Sequence, residues 1–170
     1  MMLRKFSTVA AQWLWTAVLV SLLAACASAP PPAPAPAPLP RAERLAQLGF
    51  EKTDDGYVLN LPGPLLFETG SDVLSDGAKQ VLSKLAVDLR ALEIAKLRLF
   101  GHTDNVGTAE FNRNLTSRRA DAVAQFLATN GFASEALERR GFGFDRPLAS
   151  NDTPEGRAKN RRVSVVVPFE

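Results

Sequence analysis

The stretch GHTDNVGTAEFNRNLTSRRADAV, residues 101–123, gathers the side chains best suited to chemistry. Read at helical spacing, its second half together with residues 124–127 sets Leu115, Arg119, Ala122, Val123, Phe126 and Leu127 on one stripe. All but Arg119 are apolar. A guanidinium keeps its charge, so an arginine in a core-facing row needs an acceptor. Asp104, in the loop just before the helix, is one candidate, and a plain Asp104–Arg119 salt bridge is the simplest outcome. Asn112 and Leu115 share the face of Arg119 if the helix has already formed there. A carboxylate in the loop, an amide at the helix start and a guanidinium further on would make a pocket with a negative and a positive pole. Such a pocket suits a zwitterion better than a simple anion or cation.

The elements that must position these residues are legible around them. RAERLAQLG reads as a short helix ending at Gly49. FEKTDDGYVLNL reads as two strands around the turn Asp54-Asp55-Gly56. Leu65-Leu66-Phe67 is expected to be a strand entering the core. Ser75 can cap a helix in which Ala78, Val81, Leu82, Leu85, Ala86 and Leu89 recur every three or four residues. Lys96 to Phe100 alternates as a strand and is expected to stop at Gly101. The GHTDNVG loop then leaves the carboxyl end of that strand, a common place for a binding site in open α/β sheets. The next helix should end near Asn130-Gly131, followed by a strand over Leu137 to Phe142, a loop over 143–160 and a closing strand over Arg162 to Val167. The order β-α-β-α-β-loop-β implies a two-layer α/β domain (an α+β sandwich) with helices against a mixed sheet.

Arg4 and Lys5 account for the whole formal charge of +2. The balance elsewhere argues against a nucleic-acid partner held by a basic surface and against a polybasic membrane patch. The single cysteine, Cys26, allows no intramolecular disulfide. A basic start and the uncharged run TVAAQWLWTAVLVSLLAA precede it, the layout of a secretory signal peptide. Leu23-Ala24-Ala25-Cys26 resembles the lipobox of bacterial lipoproteins. That resemblance implies cleavage before Cys26 and acylation of Cys26, and Ala27 after it implies sorting to the outer membrane. An uncleaved signal anchor is the alternative. Residues 27–40, ASAPPPAPAPAPLP, favour polyproline II and read as a spacer that could extend roughly 43 Å at about 3.1 Å per residue. The chain is therefore expected to comprise a signal peptide (1–25), a lipidated cysteine with a Pro/Ala tether (26–40), a helix-and-hairpin lead-in (41–56) and a folded domain (57–170).

GHTDNVGTAEFNRNLTSRRADAVAQFL and GFGFDRPLASNDTPEGRAKNRRVSVVV, in that order, strongly resemble the OmpA-like C-terminal domain. That family includes the peptidoglycan-associated lipoprotein and the periplasmic part of flagellar stator proteins. The resemblance covers roughly residues 57–170 and includes LFETGSDVLSDGA. It implies a βαβαββ core with a mixed sheet, preceded by a short hairpin strand. It also implies noncovalent binding of the peptidoglycan stem peptide through diaminopimelate, gripped by Asp104 and Arg119. The arginine segment here is LTSRRA rather than LSxxRA, with Thr116 in place of serine. Asn112 matches the family's pocket asparagine and Arg161 a further carboxylate-facing arginine; Thr103 and Leu115 are placed in the wall. The implied setting is a lipid-anchored outer-membrane protein with its domain in the periplasm. The implied partners are peptidoglycan and, through acylated Cys26, membrane lipid, with other envelope proteins left open and no nucleic acid. Neither a cofactor nor a metal is implied.

Blander readings stand beside these. His102, the single histidine, lacks an HExxH pattern, a second histidine or a ligating cysteine, so a loop-shaping hydrogen bond is expected of it. Gly141-Phe142-Gly143 reads as tight turns rather than a phosphate loop. Of the pair Arg161-Arg162, at most one should enter a given pocket, because strand neighbours face opposite ways; Arg161 is chosen, and Arg162 is expected at the surface or in a structural contact. A wall-active enzyme is the first functional alternative, but the sequence offers no nucleophile–base pair or metal set. A stator-like channel component is the second, but residues 8–25 carry no ionisable side chain.

Overall fold

The computed structural model describes residues 39–169. The expected signal peptide, Cys26 and the Pro/Ala run to residue 38 lie outside them. Helix α1 (Arg41–Gln47) buries Leu45 and closes at Leu48-Gly49, where the amides of Gly49 and Phe50 turn back onto the carbonyls of Ala46 and Leu45. Strands β1 (Glu51–Thr53) and β2 (Gly56–Pro62) form the expected hairpin.

The expected strand at Leu65-Phe67 is not there. Gly63–Leu66 forms a single helical turn, α2, and Phe67 makes only an isolated bridge to Leu74. Pro64 sits in the first helical turn, where a missing amide costs nothing. An apolar run this short cannot be assigned by periodicity. The turn does bury Leu66 and Phe67, as a strand would have.

Helix α3 (Asp76–Ala91) starts at Ser75, whose hydroxyl accepts the Ala78 amide at 3.0 Å. It buries Ala78, Leu82, Leu85, Ala86 and Leu89, while Val81 remains exposed at the edge of the stripe. Strand β3 (Leu97–His102) continues two residues past Phe100, and Gly101 is a ladder residue rather than a stop. Helix α4 (Ala109–Thr129) is capped by Thr108, which accepts the Phe111 amide, and ends at Asn130 as expected. A 3-10 turn (Ser134–Ala136) leads into β4 (Leu137–Gly141). The expected loop over 143–160 contains a helix, α5 (Pro154–Asn160), before β5 (Arg162–Val167). Its signals were present: Thr153 accepts the Gly156 amide as a cap, and Pro154 occupies the first turn.

Among the described residues, five strands form one mixed sheet in the order β1-β2-β5-β3-β4. Of these, only β3 and β4 run parallel, joined across α4. β5 lies antiparallel between β2 and β3 and is buried at every position. One core unites Leu61, Leu97, Leu99, Val163 and Val165 of the sheet with Leu82 and Leu89 of α3 and Val123 and Leu127 of α4.

Gly101 and Gly141 are register partners in β3 and β4. A Cβ at Gly101 would collide with the Thr116 carbonyl, and one at Gly141 with the Ser117 amide. The bare pair lets α4 lie directly on the strands. Thr116, buried at this contact, accepts the Gly143 amide at 3.0 Å and so ties helix to loop. That contact sets where α4 presents Asn112, Leu115 and Arg119.

Candidate functional site

His102 of β3 pairs with Arg162 of β5, so the chain leaves β3 beside the point where it enters β5. The segment following β2 crosses the same end of the sheet, with the Gly63 amide donating to the Arg161 carbonyl at 2.7 Å. These elements and the face of α4 enclose a cavity of about 870 Å³. All six residues selected from the sequence line it: Thr103, Asp104, Asn112, Leu115, Arg119 and Arg161.

Arg119 finds acceptors other than Asp104. Its Nε donates to the Ser71 carbonyl at 2.8 Å and its Nη2 to the Glu68 carbonyl at 3.3 Å. The guanidinium also lies over the Phe67 ring, 4.9 Å from the centroid. The salt bridge considered between Asp104 and Arg119 does not form. Asp104 is paired instead with Arg161, Nη1 to Oδ2 at 2.7 Å, while its Oδ1 accepts the Val106 amide at 3.1 Å. Asp104 and Arg119 are only 7% and 6% exposed, so both charges are held in a largely desolvated site. Burial lowers the Arg119 pKa below the ordinary guanidinium value, and the neighbouring Asp72 carboxylate opposes that shift. A guanidinium has five N–H donors. The two bonds to the main chain leave the rest of the Arg119 fork for a ligand in the cavity.

Asn112 helps to shape the wall. Its Nδ2 donates to the Val106 carbonyl at 2.9 Å, and its backbone carbonyl accepts from Thr116. Thr103 is fixed by its amide, which donates to the Gly143 carbonyl. The arrangement can take a cationic group at Asp104 and an anionic group at Arg119 on one small molecule or chain terminus.

Residues 66–161 match the OmpA family. The chain belongs to that family. Over 132 residues it is 40% identical to the outer-membrane lipoprotein YfiB of Pseudomonas aeruginosa, covering 76% of this chain and 79% of that protein. It is 40% identical over 105 residues to the peptidoglycan-binding protein ArfA of Mycobacterium tuberculosis; this covers 62% of the chain but only 32% of that longer protein. Among solved structures, the cell wall anchor of the T6SS from Pseudomonas aeruginosa matches with a TM-score of 0.65 and 31% identity, over 77% of this chain and 98% of that one.

In this OmpA-family chain the cavity also uses residues that sequence reasoning passed over. Phe67 supports the Arg119 guanidinium, and Glu68 and Arg157 join the lining. Arg157 lies within α5, four residues before Arg161, which follows the helix as its C-cap, and reading TPEGRAKN as a loop left Arg157 unnoticed. No side-chain type marks the Ser71 and Glu68 carbonyls as acceptors, and nothing in the sequence pointed to them.

His102 departs from expectation. It closes β3 outside the cavity lining, and its ring stacks on Phe142 with centroids 5.4 Å apart and planes 14° from parallel. Its Nδ1 is buried and has no hydrogen-bond partner among the described residues. Arg162 is structural and buried rather than at the surface, donating to the carbonyls of Asn160 and Arg146. Desolvation, with Arg162 and Arg146 nearby, pushes the His102 pKa from its ordinary 6.5 down to about 3. Between those values the unfolded chain takes up a proton that the folded chain refuses. The associated stability is therefore complete above pH 6.5 and drains as pH falls toward 3, at up to ~1.4 kcal/mol per pH unit. Urea unfolding at pH 7 and pH 5 should show a loss of about 2 kcal/mol from this group, and His102→Phe should remove that part of the slope. An identical pH dependence in the variant would contradict the assignment.

Proposed function

We propose that this chain binds peptidoglycan noncovalently through the diaminopimelate of the stem peptide, and that it tethers the outer membrane to the wall without turnover. The observation that carries the reading is the convergence of Asp104 and of the spare Arg119 donors on one cavity. The far end of diaminopimelate bears an ammonium and a carboxylate. The ammonium goes to Asp104, sharing that carboxylate with Arg161. The carboxylate goes to the Arg119 fork, which can form two parallel bonds. Arg161, relieved of part of its pairing, stands beside the same carboxylate. The names of the relatives, an outer-membrane lipoprotein and a peptidoglycan-binding protein, support peptidoglycan as the partner and the outer membrane as the setting. In this reading Cys26 carries the lipid, the domain works in the periplasm, and the Pro/Ala segment spans the gap between them.

Lysine at the same stem position lacks the second carboxylate. The chain should therefore sediment with diaminopimelate-type sacculi and remain in solution with lysine-type sacculi. Asp104→Ala, with folding verified by circular dichroism, should cut sedimentation at least tenfold. Equal retention on both wall types would refute the diaminopimelate assignment. Dye release from labelled sacculi, abolished by Asp104→Ala, would refute binding without turnover.

A further inference from the structure

The cavity holds more positive charge than one zwitterionic terminus can use. Three guanidinium groups line it, from Arg119, Arg157 and Arg161, against the carboxylates of Asp104 and Glu68. Asp104 and Arg161 are paired with each other, and Glu68 is exposed. Arg119 and Arg157 make no ion pair among the described residues. Arg157 is half-buried, and its Nη1 donates to the Asn151 carbonyl at 2.8 Å. That bond fixes the side chain at the wall and leaves most of its donors unused. Gly156 beside it packs against the Ser150 carbonyl with no room for a Cβ, which anchors this part of α5.

We infer that Arg157 receives a second carboxylate from the same ligand, so that the site reads two acidic groups and one ammonium. The inference rests on the diaminopimelate reading above. Once the diaminopimelate terminus has engaged Arg119 and Asp104, the unmatched cation is Arg157, on the side of the cavity formed by α5. In a stem peptide two neighbouring groups can supply the second charge. One is the free α-carboxylate of the preceding glutamate, and the other is the carboxyl terminus of the following alanine. Both belong to residues bonded directly to diaminopimelate: the alanine lies within about 3.6 Å of chain, and the glutamate, joined through its side-chain carboxyl so that its α-carboxylate stays free, lies two methylene groups further. Arg157 thereby acts as a specificity residue. It favours peptides whose neighbouring carboxylate is free over peptides in which it is amidated.

The test is calorimetric titration of the full chain in detergent with synthetic tetrapeptides. One carries both neighbouring carboxylates, one has the glutamate amidated, and one has the terminal alanine amidated. Amidating the group that Arg157 reads should weaken wild-type binding about tenfold, a loss of one charge-assisted contact. The peptide that shows the loss identifies the source. Arg157→Gln should weaken the unmodified peptide by a similar factor, and amidation should then cost that variant nothing more. Arg157→Lys, which keeps the charge, should recover part of the loss. If neither amidation weakens wild-type binding, the inference fails without recourse to any variant. It also fails if amidation costs Arg157→Gln as much as it costs the wild type. Absence of binding by the folded wild type to every diaminopimelate peptide would instead overturn the reading of the pocket, and this inference with it.

Discussion

Replacing Arg119 by leucine is expected to weaken sacculus binding by a hundredfold or more while leaving the fold in place. The ligand would lose a two-bond contact between charged partners, with each bond contributing about 1.5–3 kcal/mol. Stability should respond far less. Leu115, Val123 and Leu127 continue the same stripe and are buried, so a leucine at 119 completes an apolar row. The substitution also removes a desolvated charge that has no ion-pair partner among the described residues. What the fold gives up is the pair of bonds to the Ser71 and Glu68 carbonyls and the stacking of the guanidinium on the Phe67 ring. Arg119→Lys is a sharper test. A single ammonium cannot hold both carbonyls and present a fork to the ligand, so binding should still fall at least tenfold despite the conserved charge. Equilibrium sedimentation with diaminopimelate-type sacculi measures both variants. Undiminished binding by folded Arg119→Leu would remove the positive pole from the proposal.

A large loss of stability is expected at Gly101. An alanine there places its Cβ on the Thr116 carbonyl, and two backbones must separate to admit it. Overpacking of this kind costs about 1–3 kcal/mol, and sometimes more where the obstacle is main chain. Against a typical total of roughly 5–15 kcal/mol, that is a large fraction. The damage should extend to binding, because lifting α4 moves Asn112, Leu115 and Arg119 away from the loop that carries Asp104. Gly77 supplies the contrast. It lies in the first turn of α3, and a Cβ there would meet nothing nearer than the Ser75 Oγ at 3.9 Å. Gly77→Ala should stabilise the chain by up to about 1 kcal/mol through helix propensity. Urea midpoints for the two variants should move in opposite directions. A neutral Gly101→Ala would show that the helix does not rest on the strand as described.

What could be read from the sequence was local or periodic. The stripe from Leu115 to Leu127, the cap at Ser75 and the hairpin at Asp54-Asp55 each rest on residues close together in the chain, and each appears as expected. The candidate site residues were chosen for a different reason: their order resembles a family pattern, and the structure brings all six to one cavity. What could not be read depends on distant chain or on main-chain atoms. Asp104 and Arg161 are 57 residues apart, and only the β3–β5 register brings them together. The acceptors of Arg119 are carbonyl groups, which every residue has. The turn at Gly63–Leu66 and the helix at Pro154–Asn160 are each seven residues or fewer, too short for a pattern to emerge, so proline and capping signals had to be weighed against a loop-like composition.

The place of β5 in the sheet has a consequence for how the molecule is made. The hairpin half and the β3–β4 half share no ladder of their own; each is bonded to β5, the last of the five strands to leave the ribosome. A nascent chain released as far as Gly141 therefore has two strips of sheet with no ladder between them. The ladder that makes the two strips one sheet is completed only by residues 162–167.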